Sequence, residues 1–599
     1  MSKRKREEAD GLIDEVDEED FKLTEAEIAE LIDTAPEVEA LTAQGLRRLV
    51  LNLEKRYTRN QELRIKYAGQ PDKYDLPISC PTLHLVLRLL GTYRTFLESE
   101  VDLDVAIKEL HVLATAPGLY GDFVKLNAAF SVLTFLLHGV MVIAAVSLLQ
   151  HENNDIMVDT INLLHELTQS NEGAADEAED EESDAYLLHE AFIQQEGGLD
   201  ILLSNLDRLD EKIDEERQGV YNMMGILENV SEVMPEIGVM AMKNDVWRKW
   251  VLRRMKEDGF DDNKAYASEI VSILLQNSPE SRKLFTEANG IDTLLLCLAP
   301  YRKTDPPTAD EEEYVENLFN SLCTCLMSNE NKQVFRKSQG LELMLIMIKY
   351  CYSLPLHLPT RQFHNRLSKK FPRKSALKVV DFALAGNEEN CKYFVDILGL
   401  KTLFAAFMKK GAKKGRSGFN ELADDEHIAA AIASLFKSLA AAGGEPYTRL
   451  LGKFQESNYQ KIERLLELHA KYAKKSAAFD AQVEAEMEAR RARGEELTEL
   501  DEEYYLSLRL DEGHLFTLQL IDYIIAAVAT SPLEGANAYI KQLLKQQGGS
   551  LEKVKEVLAT YAKSIGSSGT DTSSGAADDG DATTDRERAN IRQLIERLE

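Results

Sequence analysis

One short string returns four times along this chain, each time after the same kind of approach. Glu196-Gly197-Gly198-Leu199-Asp200-Ile201-Leu202-Leu203 recurs as Ala288-Asn289-Gly290-Ile291-Asp292-Thr293-Leu294-Leu295. It returns as Gln339-Gly340-Leu341-Glu342-Leu343-Met344 and as Leu398-Gly399-Leu400-Lys401-Thr402-Leu403. Each time a glycine is followed by an aliphatic residue, with a second aliphatic three positions later. The approach repeats too. Ile270–Leu275 runs through the polar turn Gln276–Ser281 to Leu284-Phe285, and Leu318–Leu322 through Ser328–Lys332 to Val334-Phe335. Val379–Leu384 runs through Gly386–Asn390 to Tyr393-Phe394-Val395. A glycine at such a corner accepts positive φ and lets two helices pack closely.

Each unit therefore reads as a long helix, a polar turn, a short helix, the glycine and another helix. That is the armadillo plan, whose repeat is roughly 40–47 residues. The signature glycines lie 92, 50 and 59 residues apart, so loops are inserted between some units. Such units cannot bury their faces alone and stack into a superhelix with a concave groove. An irregular helical bundle is the alternative, and four matching signatures weigh against it. A chain of 599 residues is too long for one ordinary core, and its Leu, Ala, Glu and Lys favour helices. The predicted fold is all-α: an armadillo-type right-handed superhelical solenoid with a disordered acidic N-terminal tail and a C-terminal helical cap.

Composition shifts divide the chain. Residues 1–40 are an acidic tail, expected to be disordered. Residues 41–125 form an N-terminal helical cap, with Leu46, Leu49, Val50 and Leu53 spaced for one helix face. Armadillo-like repeats occupy 126–475, interrupted by the acidic run Glu172–Asp184 and the polar break Lys409–Ser417. A C-terminal helical region covers 476–565. A Gly-, Ser-, Thr- and Asp-rich flexible linker follows at 566–584, then a C-terminal helix at 585–599 carrying Ile591, Leu594, Ile595 and Leu598.

Charge narrows the class of partner. With 102 acidic and 70 basic residues the formal net charge is −32, which repels phosphate backbones and favours basic protein segments. No direct nucleic-acid or membrane contact is expected, and a homodimer is left open. Phe130–Leu149 is apolar enough to suggest a span, but Ser131, His138, Ser147 and the lack of flanking basic anchors argue otherwise. The N-terminus is not a signal peptide. It carries Lys3-Arg4-Lys5-Arg6, a nuclear-import type of cluster standing alone beside an acidic stretch, with an ordinary solvated tail as the alternative.

Motifs for chemistry are missing. There is no phosphate loop, nucleophile elbow or HExxH, so no enzymatic activity, cofactor or metal is predicted. Cys80, Cys297, Cys323, Cys325, Cys351 and Cys391 are scattered and read as reduced, mostly buried thiols. His111, His165, His189, His427 and His469 sit in helical contexts as surface or core histidines.

In armadillo proteins resembling the importin-α adaptors, each long helix carries a Trp and, four residues on, an Asn that clamps peptide backbone. Aligned on the turn and glycine, the Asn positions here are Glu166, Asn229, Leu274, Cys325 and Phe382. The Trp positions are Asn162, Gly225, Ile270, Ser321 and Lys378, and Trp247 and Trp250 lie elsewhere. Only Asn229 matches, so the chain is not an import adaptor of the standard kind. The predicted groove residues are Asn229 as a backbone clamp, with Asn162 and Glu166 as polar groups.

Several strings resemble a known family. They include Leu53-Glu54-Lys55-Arg56, Asn60–Lys66, Glu316-Asn317-Leu318-Phe319-Asn320-Ser321-Leu322-Cys323, Ser375–Val379, Phe394–Leu400 and Leu465–Tyr472. On these the chain resembles the β-catenin-like protein 1 family of nuclear armadillo proteins associated with the spliceosome, from about Leu46 through the final helix. The resemblance implies a scaffold linked to the nineteen complex, the Prp19-type assembly. It also implies binding of basic, nuclear-localisation-like segments of splicing factors, notably a Myb-like cell-division-cycle protein of that complex. A nuclear transport adaptor recognising basic import signals is the alternative. Three segments, Asp75–Thr95, Phe130–Ala145 and Tyr350–Ser368, look like insertions in the family pattern and are read as in-frame retained introns, which sequencing the mature transcript tests.

Overall fold

The repeated glycine owes its place to a phenylalanine. Phe285, Phe335 and Phe394, five residues ahead of Gly290, Gly340 and Gly399, are fully buried with their rings against the glycines. A Cβ on Gly399 would lie 2.6 Å from the Phe394 ring, inside van der Waals contact. The signature glycine was expected to hold positive φ itself. In all four copies that conformation falls one residue earlier instead, on Gly197 (φ +79°), Asn289 (+65°), Gln339 (+61°) and Leu398 (+65°).

The computed structural model describes residues 41–67, 97–120, 123, 148–169, 197–276, 278–350, 371–408, 421–495, 498–565 and 579–598. The import cluster, the acidic run Glu172–Asp184, the break Lys409–Ser417 and the three insertion-like segments, apart from Tyr350, lie outside them. No strand occurs among the described residues.

The chain divides into two compact units, Met1–His138 and Gly139–Glu599. In the first, α1 (Ala43–Tyr67) packs against α2 (97–109). Leu46, Val50 and Leu53 are buried along one face of α1, and Leu103, Ala106 and Ile107 along α2. The pairs Arg64–Glu100 (3.0 Å), Arg59–Asp102 (3.2 Å) and Asn52–Glu109 (2.8 Å) run in opposite sequence order, so the helices are antiparallel. Buried Asn60 donates to Ser99 Oγ at 3.1 Å, which satisfies the polar groups between them.

The second unit is the armadillo-type right-handed solenoid. It begins with α3 (Asn154–Thr168) and α4 (Gly198–Ser204). Three-helix units follow: α5 (Asp214–Val233), α6 (Ile237–Lys243) and α7 (Asp245–Arg254); then α8 (Asp262–Gln276), α9 (Pro279–Glu287) and α10 (Gly290–Leu298). Next come α11 (Ala309–Cys325), α12 (Asn329–Lys337) and α13 (Gly340–Tyr350); then α14 (Phe371–Leu384), α15 (Glu388–Asp396) and α16 (Gly399–Phe407). The fifth unit is α17 (Glu421–Ala442), α18 (Gly444–Gln455) and α19 (Gln460–Ala492). The remainder is α20 (Glu499–Asp511), α21 (Leu515–Ala529), α22 (Ala536–Gln546), α23 (Leu551–Ser564) and α24 (Asp579–Arg597).

Long helices pack side by side in the order α3, α5, α8, α11, α14, α17, α21. The polar turns of the sequence signature start the short helices. Ser278 and Asn387 cap α9 and α15, accepting from Ser281 N (3.1 Å) and Asn390 N (2.9 Å). From inside those helices, buried side chains reach back to the last carbonyls of the long helix. Arg282 donates to Leu275 O (3.0 Å), Asn331 to Cys325 O (3.0 Å) and Asn390 to Ala383 O (3.0 Å). Carbonyls left over at a helix end are thus met even where the corner is dry. The two tryptophans belong to this core: Trp247 and Trp250 on α7 are buried and stacked at 5.7 Å.

Candidate functional site

On each long helix the apolar residues turn inward and leave one polar stripe outside. On α8, Ala267, Ile270, Val271 and Leu274 are buried while Tyr266, Glu269 and Ile273 remain partly open, at i, i+3 and i+7. The alignment that put Ile270 and Leu274, or Ser321 and Cys325, in a groove therefore fails in those repeats, because all four face the core. Side by side, the stripes of α3, α5, α8 and α11 make one continuous surface.

Two of the predicted groove residues are tied into it by amide hydrogen bonds. Asn162 on α3 accepts from Asn222 Nδ2 on α5 (2.8 Å), and Asn222 Oδ1 accepts from Gln218 (2.9 Å). Asn229 Nδ2 donates to Thr168 Oγ1 (3.1 Å), leaving its carbonyl oxygen to accept from a passing backbone. Glu166 stands on α3 within the electrostatic reach of His165.

Three further carboxylates continue the line, one per helix: Glu228 on α5, Glu269 on α8 and Glu313 on α11. None of these three has an ion-pair partner among the described residues. They feel one another: burial raises the Glu269 pKa, and the neighbouring charges of Glu228 and Glu313 raise it further. Tyrosines stand among the acids. Tyr266 donates its hydroxyl to Glu228 Oε2, and the Tyr221 and Tyr266 rings lie 4.5 Å apart at 35°. Burial, the hydrogen bond and the acidic surroundings push the Tyr266 hydroxyl far above its ordinary range, so it stays a donor.

Buried Gly225 lies beneath His165 and Tyr266, where any Cβ would overlap the His165 ring and approach the Tyr266 hydroxyl to 3.3 Å. Burial lowers the His165 pKa against the pull of Glu166 and Glu228, so the ring stays neutral near pH 7. The acidic line ends at α14, where Lys378 donates to Asn320 Oδ1 at 3.3 Å. Toward α7 it opens, past Gln218 and Tyr221, into a polar cleft of about 600 Å³. There buried Arg254 bridges Glu211 (3.0 Å) and Asp261 (2.6 Å), while Glu257, Asp258 and Asp262 add further negative lining.

The arrangement offers carboxylates, aromatic faces and a side-chain amide oxygen over four helices. Extended cationic side chains fit that chemistry, through charge and through cation–π contact. No group of three ligating side chains able to hold a metal occurs among the described residues. No described helix is long and apolar enough to cross a membrane.

Sequence reasoning missed Glu228, Tyr266, Glu269, Glu313 and Tyr221. The signal was present: each lies opposite the apolar stripe of its own helix. It also missed the carboxylate partners of two histidines. His427 Nδ1 meets Asp381 Oδ2 at 3.2 Å and His469 Nδ1 meets Asp522 Oδ1 at 2.5 Å, across 46 and 53 residues of chain.

Comparison with known proteins agrees with this architecture. A family model described as "Catenin-beta-like, Arm-motif containing nuclear" matches residues 26–75 and 93–559. The gap at 76–92 falls inside the first insertion-like segment, the other two lie within the match, and α24 lies beyond its end. Beta-catenin-like protein 1 of Homo sapiens is 37% identical over 530 residues, covering 88% of this chain and 83% of that protein. The Schizosaccharomyces pombe homolog is 34% identical over 459 residues, covering 75% of this chain and 68% of its own length.

Among solved structures, an engineered protein from a structural genomics consortium is 14% identical with a TM-score of 0.39, covering 83% of this chain and 95% of its own. A structure from work on a phosphorylation switch between cadherin and β-catenin is 12% identical with a TM-score of 0.33, covering 83% and 90%. At these scores they add nothing to the sequence matches. By the family match and the extent of its relatives, this chain belongs to the Catenin-beta-like, Arm-motif containing nuclear family, in keeping with its armadillo-repeat build.

Proposed function

We propose that the chain is a nuclear scaffold of the spliceosome, associated with a Prp19-type assembly. Its role there is to receive basic, nuclear-localisation-like segments of splicing factors. The observation that carries this reading is the line Glu166–Glu228–Glu269–Glu313 across four successive long helices, interleaved with Tyr221 and Tyr266. A basic segment laid over it would exchange mutual repulsion among the acids for attraction, with Asn229 and Asn162 available to its backbone. The family's printed description as nuclear supports the location.

Affinity for a Lys/Arg-rich peptide, measured by calorimetry at low salt, tests the reading. Glu166→Lys or Glu228→Lys is expected to weaken binding about tenfold, an effect that fades as salt screens the charges. Unchanged affinity in both variants would remove the stripe from consideration. Purification of the protein with its partners from nuclear extract tests the wider claim. Splicing factors with basic segments are expected, and recovery of transport factors alone would favour an import adaptor instead.

A further inference from the structure

The last helix, α24, is held against α17, α21 and α23 by a stripe of aliphatic side chains and one ion pair. It lies on α23 and α21; among its described side chains Ile591 is fully buried and Leu594 and Ile595 partly covered, and Leu598, just past its end, is buried too. Ahead of that stripe stands Glu587. Its Oε1 receives the Lys437 ammonium from α17 and lies 3.3 Å from the Tyr561 hydroxyl of α23. Lys437 also donates to the Tyr561 hydroxyl at 2.9 Å and sits 5.3 Å from the centres of both the Tyr523 and Tyr561 rings. The next residue, Arg588, donates through Nε to Ile565 O (2.8 Å), the carbonyl just past α23.

We propose that Lys437, Tyr523 and Tyr561 form a binding site for an amphipathic helix bearing a carboxylate, and that α24 is its tethered, exchangeable occupant. The site reads a pattern: a Glu, then aliphatics four, seven and eleven residues on, which here are Ile591 and Leu594 of α24 and Leu598 just past its end. That spacing places all four on one helix face.

Three observations separate this from an ordinary terminal helix. The cation stands among residues of α17, α21 and α23, and both the Tyr523 and Tyr561 rings face its ammonium. Burial works against the charge of Lys437, but the Tyr561 hydroxyl and the Glu587 carboxylate outweigh it and keep it protonated. Second, two whole and two partial aliphatic side chains are little apolar burial against the cost of ordering a helix of 19 residues. Third, α24 follows the Gly-, Ser-, Thr- and Asp-rich residues 566–578, a composition suited to a tether. With a tether giving an effective concentration on the order of 1 mM, a helix docked roughly 99% of the time has an intermolecular Kd of about 10 µM.

The test uses the full chain with a specific protease site inserted within 566–578 and a fluorophore at the C-terminus. Before cleavage, free peptide 579–599 should not displace the labelled helix at concentrations up to about 100 µM, because the tether favours the resident copy. After cleavage the labelled helix should dissociate on dilution, with an anisotropy midpoint on the order of 10 µM. A Glu587→Lys peptide should compete at least about tenfold less well, and a Lys437→Glu protein should recover preference for it. Because the peptide change leaves the protein untouched, a folding defect cannot imitate the result. A helix that stays bound after cleavage and dilution to about 100 nM would make α24 an integral cap and overturn exchange. Equal competition by the Glu587→Lys peptide would overturn recognition through Lys437.

Discussion

At the scale of single residues, the corner of each repeat divides two demands that the sequence suggests one glycine meets. Gln339 takes the left-handed conformation while Gly340 yields space to the buried Phe335 ring. The two positions should respond oppositely to the same chemistry. Gly340→Ala adds a methyl where the ring lies and is expected to cost about 1–3 kcal/mol, the range for overpacked cores. Gln339→Gly removes a left-handed strain of roughly 1–2 kcal/mol but adds about 0.5–1 kcal/mol of unfolded-state entropy, so stability should change by less than about 1 kcal/mol. Urea denaturation of the two variants checks this. A Gly340→Ala variant as stable as the parent would mean that the ring moves aside and that close approach does not fix the glycine. Phe335→Ala should cost about 3–5 kcal/mol, because the cavity it leaves lies between two repeats.

At the scale of elements, the helices and their order were legible because local chemistry writes them. The turns Ser278–Ser281 and Asn387–Asn390 are N-caps, and the phenylalanine–glycine spacing is a contact within one corner. The acidic stripe was only partly legible, since it is made by neighbours about 40 to 60 residues apart. The pattern that pointed to Asn162 and Glu166 also placed Ile270 and Cys325 in the same groove, when they are core. Glu269 shows what the missing information contains. Burial, then Glu228 and Glu313, raise its pKa above the ordinary 4.5. The native state thus binds more protons than the unfolded chain in the window above 4.5, and its stability falls as pH rises through that window. Glu269→Gln should therefore stabilise the protein at pH 7 by about 0.5 kcal/mol, the scale of a partly exposed charge contact, and change nothing below about pH 4. The same substitution should weaken a Lys/Arg-rich peptide. Denaturation midpoints at the two pH values, with peptide titrations on the same samples, test both. A variant that loses stability at pH 7 would show that the stripe is not a site of mutual repulsion.

At the scale of the whole molecule, the proposed recognition of a basic segment would draw separably on the net charge of −32 and on the local stripe. The summed charge acts at a distance and raises the encounter rate, whereas carboxylates in contact with the ligand hold it once bound. Salt distinguishes them, because the screening length falls from about 10 Å at 0.1 M to about 3 Å at 1 M. The association rate for a Lys/Arg-rich peptide should drop roughly 10- to 100-fold between those salt concentrations in stopped-flow measurements. Reversing Glu228 and Glu269 together leaves most of the molecular charge in place. That double variant should retain much of the salt dependence of association while dissociating faster by about a hundredfold. The parent protein should meanwhile melt at higher temperature as salt screens its own acidic surface, so affinity and stability move in opposite directions along one axis. An association rate indifferent to salt would mean that the excess of acids lies where an approaching segment does not feel it, and would leave recognition to the stripe alone.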